Sequence, residues 1–203
     1  CAPYANYPEL AAFGHNPSYH FRGHKADIYE GGHRVPFVVR WPEYIEAGRS
    51  SDQVICLTDL LATLADLTGI SLEPAAGVDS YSMLPALLGE EEGPLREATV
   101  HHSINGSFAI RKGDWKLILC PGSGGWSDPQ PGSPGIEQLP SLQLYNLQED
   151  VGETENLYAR HPEMVEELSD LLKKYIQEGR STPGPLQSNV HSEAWPGLSW
   201  MED

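Results

Sequence analysis

The sequence predicts an α/β fold in two parts: the closing strand and helix at the C-terminal edge of a larger α/β domain, then a small antiparallel sheet packed with a C-terminal helix. Three observations point there. Val35 to Trp41, VPFVVRW, is rich in β-branched and aromatic residues. Leu57, Leu60, Leu61, Leu64 and Leu67 follow it at helical spacing. Four strand-like runs, Ala98 to His102, Ser107 to Lys112, Trp115 to Leu119 and Leu142 to Leu147, then precede a second helical stripe, Met164 to Ile176.

Taken in order, residues 1–33 are rich in Gly, Pro, His and Tyr and lack periodicity, as in a loop that borders a site. Their most informative part is Phe21 to Phe37, FRGHKADIYEGGHRVPF. It sets Lys25 just ahead of Gly31-Gly32, a pair that permits a tight turn or close backbone approach and can aim an ammonium group into a cleft. Pro42 ends the first strand, and Gly48 to Asp52 form a polar turn. Thr58 is the expected N-cap of the helix and Gly69 its C-terminal stop. The charged segment Gly89 to Pro94 is the expected boundary, giving an α/β part over 1–93, a small subdomain over 94–185 and a tail over 186–203 with Trp195 and Trp200. In the subdomain Lys112-Gly113-Asp114 supplies a hairpin turn. Pro121 to Pro140, full of Gly, Pro and Ser, is either disordered or a functional surface loop. Pro162 stands near the start of the last helix, whose apolar stripe contributes on the order of 10 kcal/mol before entropy is subtracted.

The charge balance bears on partners. In 203 residues, 13 basic and 29 acidic side chains give a net charge of −16, which repels nucleic-acid phosphates and anionic lipid surfaces. Nucleic-acid and membrane partners are not expected, and no apolar run approaches the length of a bilayer span. An anionic substrate would need local positive charge to approach this body. Cys1, Cys56 and Cys120 form no Cys-x-x-Cys spacing and do not read as a disulfide scaffold; Cys56 reads as a small buried hydrophobe.

Several residues carry possible chemistry. Lys25 is either an exposed loop lysine or a charge-stabilising group. His15, His20, His24 and His33 crowd one segment, but their spacing matches no zinc signature, so no metal ligand is assigned. His24 flanks Lys25 and would point away from it in an extended segment. Of His101 and His102, alternation sends one inward and the other out. Glu30 and Arg34 are placed to form an ion pair that supports the glycine turn. Arg111, Lys112 and Lys116 fall to solvent by default, and Glu90 to Glu92 read as a solvated loop.

These motifs resemble the sulfatase family of the alkaline-phosphatase superfamily. Gly23, Lys25, Glu30, Gly31, Gly32, Arg34 and Pro36 match its G-x-K-x(4)-E-G-G-x-R-x-P segment. Further matches are Asp59-Leu60-Leu61 with Thr63, Asp79 to Ser82 before Leu84-Pro85, Ala109 to Leu117, and Leu144 to Leu147 followed by Glu153 and Asn156-Leu157, in the family's order. Gly179 to Pro185, GRSTPGP, is similar to the terminal segment of one bacterial arylsulfatase-like branch. The resemblance implies sulfate monoester hydrolysis through a formylglycine nucleophile, with Lys25 gripping the sulfate and His24 and His102 lining the substrate pocket. It also implies Ca2+ in the full-length enzyme, a sulfated small molecule or carbohydrate as substrate, and a periplasmic or secreted location. The family's C/S-x-P-x-R motif is not present: Cys1-Ala2-Pro3-Tyr4-Ala5 lacks the arginine, so Cys1 reads as a decoy. The expectation is a C-terminal fragment whose partner is the missing N-terminal part of the same enzyme, inactive alone. A phosphonate or phosphate ester hydrolase of the same superfamily and a non-catalytic binding module stand as alternatives.

Overall fold

Four short strands, β1 (Thr99–His102), β2 (Phe108–Lys112), β3 (Trp115–Ile118) and β4 (Gln143–Asn146), form one sheet in the order of the chain. The computed structural model describes residues 7–189 and 197–198. Each strand lies within two residues of its expected place. Arg111 pairs with Lys116 across the β2–β3 hairpin, where Gly113 takes the left-handed conformation (φ 57°) that such a tight turn favours. Leu117 pairs with Leu144 in the antiparallel β3–β4 ladder. Helices are α1 (Tyr7–Ala12), α2 (Glu30–His33), α3 (Leu60–Thr68), α4 (Leu84–Leu88) and α5 (Pro162–Glu178). None is long and apolar enough to cross a membrane.

The chain packs as two compact units, each made of separate stretches. One holds residues 7–35 and 100–172; the other holds 36–99 and 173–189. The expected division at 93/94 differs, because the lysine loop is hydrogen-bonded to segments beyond residue 100 and not to those that follow it. In the first unit Ile28, Tyr29, Ala109, Ile118, Cys120, Tyr145 and Leu147 form a buried cluster. Helix α5 starts at Pro162 as expected and buries Leu168, Leu171 and Leu172, while Lys112 reaches Glu167 on it at 3.0 Å. The 121–140 loop is ordered. Gly122 to Gly125 are buried, Ser123 N–H donates to the Pro129 carbonyl at 2.9 Å, and a 3-10 turn spans Ile136–Gln138.

The second unit corrects two expectations. Val35 to Trp41 forms no strand; it has no ladder partner among the described residues and is open, Val38 being 91% exposed. The Leu57, Leu60, Leu61, Leu64 and Leu67 stripe is likewise exposed, since α3 turns Thr63 and Ala65 inward. A 3-10 turn at Leu57–Asp59 precedes α3, so Thr58 does not cap it; Asp59 accepts from the Cys56 N–H at 2.7 Å. Gly69 ends the helix with φ 68°, as expected. Buried Arg96 pairs with buried Asp59. Arg180 donates to the carbonyls of Pro74 (3.2 Å), Thr182 (2.8 Å), Pro183 (3.1 Å) and Pro185 (2.9 Å), which accounts for the compact GRSTPGP segment. Residues 190–196 and 199–203 of the expected tail, with Trp195 and Trp200, and Cys1 lie outside the described residues.

Candidate functional site

Lys25 lies on a turn whose two ends are fastened to one residue. Arg22 Nη1 donates to the Glu153 carbonyl at 2.7 Å, and the Glu30 N–H donates to Glu153 Oε2 at 2.7 Å. Glu153 is fully buried and holds φ 52°, a left-handed conformation that needs its surroundings to sustain it. Between those anchors Gly23 (φ 75°) and Ala26 (φ 88°) bend the chain. Asp27, fully buried, gathers the turn: its carboxylate accepts from the N–H groups of His24 (2.8 Å), Trp126 (2.7 Å) and Ser127 (3.0 Å) and from the Ser127 hydroxyl. Lys25 itself stays exposed.

The glycine pair serves close approach. A Cβ on Gly31 would stand 2.3 Å from the Gly23 carbonyl oxygen, and one on Gly32 would stand 2.2 Å from that of Asp27. No side chain fits at either position, so the four-residue helix α2 packs directly on the turn's backbone.

Lys116, expected in solvent, is completely buried. Its Nζ is 3.0 Å from Glu30 Oε1 and 2.9 Å from Glu153 Oε1. Arg111 (3.3 Å) and the half-exposed Arg34 (3.4 Å) also reach Glu30 Oε2, so the expected Glu30–Arg34 pair is one edge of a larger cluster. Burial alone would raise the Glu30 carboxyl, but Lys116 and the two guanidinium groups outweigh it and hold it below its usual range. Burial raises Glu153 against the same ammonium. One buried cation thus bridges the two carboxylates that hold the Lys25 turn in shape.

His24 does not sit in the extended segment that would turn it away from Lys25. The left-handed Ala26 breaks the extended path, and His24 Nδ1 comes 3.3 Å from Asp27 Oδ2 and 2.7 Å from Ser127 Oγ. His101 and His102 divide as alternation predicts. The His101 ring stacks on His33, centroids 4.6 Å apart, with His101 Nδ1 and His33 Nε2 buried and without hydrogen-bond partners. Burial, reinforced by Lys116, pushes His33 down to about 4 and His101 well below its ordinary value. His102 faces out, its ring 4.1 Å from that of Phe108, and burial lowers its pKa. The loop after β1 meets the turn where the Ile104 N–H donates to the Ala26 carbonyl at 2.9 Å, two residues beyond His102.

Sequence reasoning missed Asp27 and the burial of Lys116; it marked the 121–140 loop as either disordered or a functional surface loop without singling out Trp126 or Ser127. The available signal for Lys116 was its setting in Trp115-Lys-Leu117-Ile118, a strand apolar on both faces. Among the described residues no group of three or more His, Cys, Asp or Glu side chains is placed to hold a metal ion.

Residues 20–121 match the family described as N-sulphoglucosamine sulphohydrolase, C-terminal, and the chain belongs to this sulfatase family. It is 37% identical over 163 residues to N-acetylgalactosamine-6-O-sulfatase of Bacteroides thetaiotaomicron, covering 79% of this chain and 30% of that protein. It is 33% identical over 178 residues to human (Homo sapiens) arylsulfatase A, covering 80% of this chain and 34% of the relative. A solved structure from work on the metabolism of multiple glycosaminoglycans by Bacteroides thetaiotaomicron superposes with a TM-score of 0.68 at 34% identity, over 84% of this chain and 35% of that one. The chain therefore spans about a third of the length of these relatives.

Proposed function

We propose that this chain is the C-terminal portion of a sulfatase that hydrolyses sulfate monoesters of carbohydrates, and that Lys25 holds the sulfate group. The observation that carries this is the exposed ammonium of Lys25 on a turn immobilised from both ends by Glu153 and from within by Asp27, inside the segment that matches the family. In hydrolysis the ester S–O bond breaks, the sulfuryl group passes to a nucleophile, and the sugar oxygen leaves as an alcohol after gaining a proton. A fixed ammonium beside the sulfate stabilises the charge that builds on its oxygens and on the leaving oxygen. Local cationic charge also offsets a body of net charge −16 that would otherwise repel the anion. The formylglycine nucleophile and the Ca2+ ligands of the complete enzyme belong to other residues. The carbohydrate assignment is supported by the 37% identity to an N-acetylgalactosamine-6-O-sulfatase.

The test uses the protein encoded by the complete gene. Lys25→Ala should lower kcat/KM for a sulfated hexosamine about a hundredfold, the usual cost of an active-site charge contact of roughly 3 kcal/mol. Lys174→Ala, on the exposed side of α5, should leave it within twofold. The 203-residue chain alone should release no sulfate. Comparable kinetics for the two lysine variants would make Lys25 an ordinary surface residue, and turnover of phosphate but not sulfate esters would favour the phosphohydrolase alternative.

A further inference from the structure

The loop that carries Trp126 is sewn to the Lys25 turn along its length. Ile28 N–H donates to the Ser123 carbonyl at 2.9 Å, Asp27 accepts from the N–H groups of Trp126 and Ser127, and Ser127 Oγ meets His24 Nδ1 at 2.7 Å. Its course admits little alternative. A Cβ on Gly125 would stand 2.5 Å from the Ala26 carbonyl oxygen, and one on Gly124 would stand 2.6 Å from Ser103 Oγ. The Trp126 main chain is held on both sides, because its carbonyl also accepts from Gln130 Nε2 at 2.8 Å. Its indole nevertheless remains 38% exposed. Ile104, 59% exposed, stands on the other loop that bonds to Ala26. Two exposed apolar residues therefore stand on loops hydrogen-bonded to Ala26 and Asp27, the residues that follow Lys25.

An exposed, flat, neutral indole on a loop bonded to a lysine-bearing turn is suited to a ligand with an anionic group on an apolar-faced ring. A sulfated hexose has that form: its sulfate is a point of negative charge, and its axial C–H groups make one face of the ring apolar. We infer that Trp126 is a specificity-determining residue, a stacking platform for the sugar ring whose sulfate Lys25 holds. This rests on the sulfatase reading above and adds the contact that separates a sugar sulfate from other sulfate esters.

The experiment takes the complete enzyme with a sulfated N-acetylhexosamine and compares Trp126→Phe, Trp126→Leu and wild type by kcat, KM and thermal unfolding. Loss of the aromatic face in Trp126→Leu should raise KM roughly tenfold with kcat within about threefold, while Trp126→Phe, which restores a flat ring, keeps KM within about threefold of wild type. The platform is overturned if Trp126→Leu keeps the wild-type KM, or if Phe and Leu raise it equally at unchanged unfolding temperature. Those results with kcat/KM of Lys25→Ala still lowered about a hundredfold would remove the platform alone. A wild-type enzyme that cleaves no sulfate ester would remove both readings together.

Discussion

Lys116 has no exposed surface, although on its short strand alternation sends it to the face opposite Trp115 and buried Leu117. Burying an ammonium is costly unless carboxylates surround it, and here Glu30 and Glu153 do so at 3.0 and 2.9 Å. Its removal would leave two carboxylates facing each other in the core. Lys116→Met should therefore destabilise the fold by about 3–5 kcal/mol, and adding Glu153→Gln should recover part of that loss. Urea denaturation of the single and double variants checks this; a loss below about 1 kcal/mol would show that the cluster relaxes or takes up a proton instead. The Gly31-Gly32 pair was legible in the sequence as a close-approach site because a missing Cβ has few other uses. Lys116 was not, because its counter-charges arrive from Glu30 and Glu153, remote in sequence, and residue type alone defaults to solvent.

At the scale of elements, legibility followed where the burying partner lies. The four strands, the Gly113 hairpin and the Gly69 stop were readable because local chemistry decides them. The stripe on α5 was readable because its cover lies within the described chain: Leu168, Leu171, Leu172 and Tyr175 are all buried. Val35 to Trp41 and the leucines of α3 carry equally clear patterns, yet remain open because a pattern specifies a face and cannot supply its partner. Leu171→Ala should cost about 2–5 kcal/mol. Asp170→Ala, one position away on the exposed side, should change stability by less than about 0.5 kcal/mol. Equal small changes in equilibrium denaturation would mean that α5 is not held by that stripe.

For the molecule as a whole, the stacked pair of neutral imidazoles sets an acid limit. The folded pKa of His33, about 4, lies below its ordinary value of 6.5, and burial likewise lowers that of His101 well below its own. With folded values depressed, the unfolded chain binds more protons in this interval, so stability is complete above pH 6.5 and falls as pH drops toward 4. Denaturation at several pH values should show a loss of about 2–3 kcal/mol across that window. Replacing both histidines by glutamine should flatten the slope, and an unchanged slope would assign the acid sensitivity to other groups.

The double attachment of the Lys25 turn to Glu153 also sets a schedule. Arg22 precedes Glu153 by 131 residues and Asp27 precedes Trp126 by 99, so the turn is synthesised well before the residues that fasten it. In between comes a 36–99 stretch that packs into a different unit. Closing so long a loop is entropically slow, and such non-local contacts form late. A nascent chain halted anywhere before Glu153 would thus carry Lys25 without the two contacts that fasten the ends of its turn.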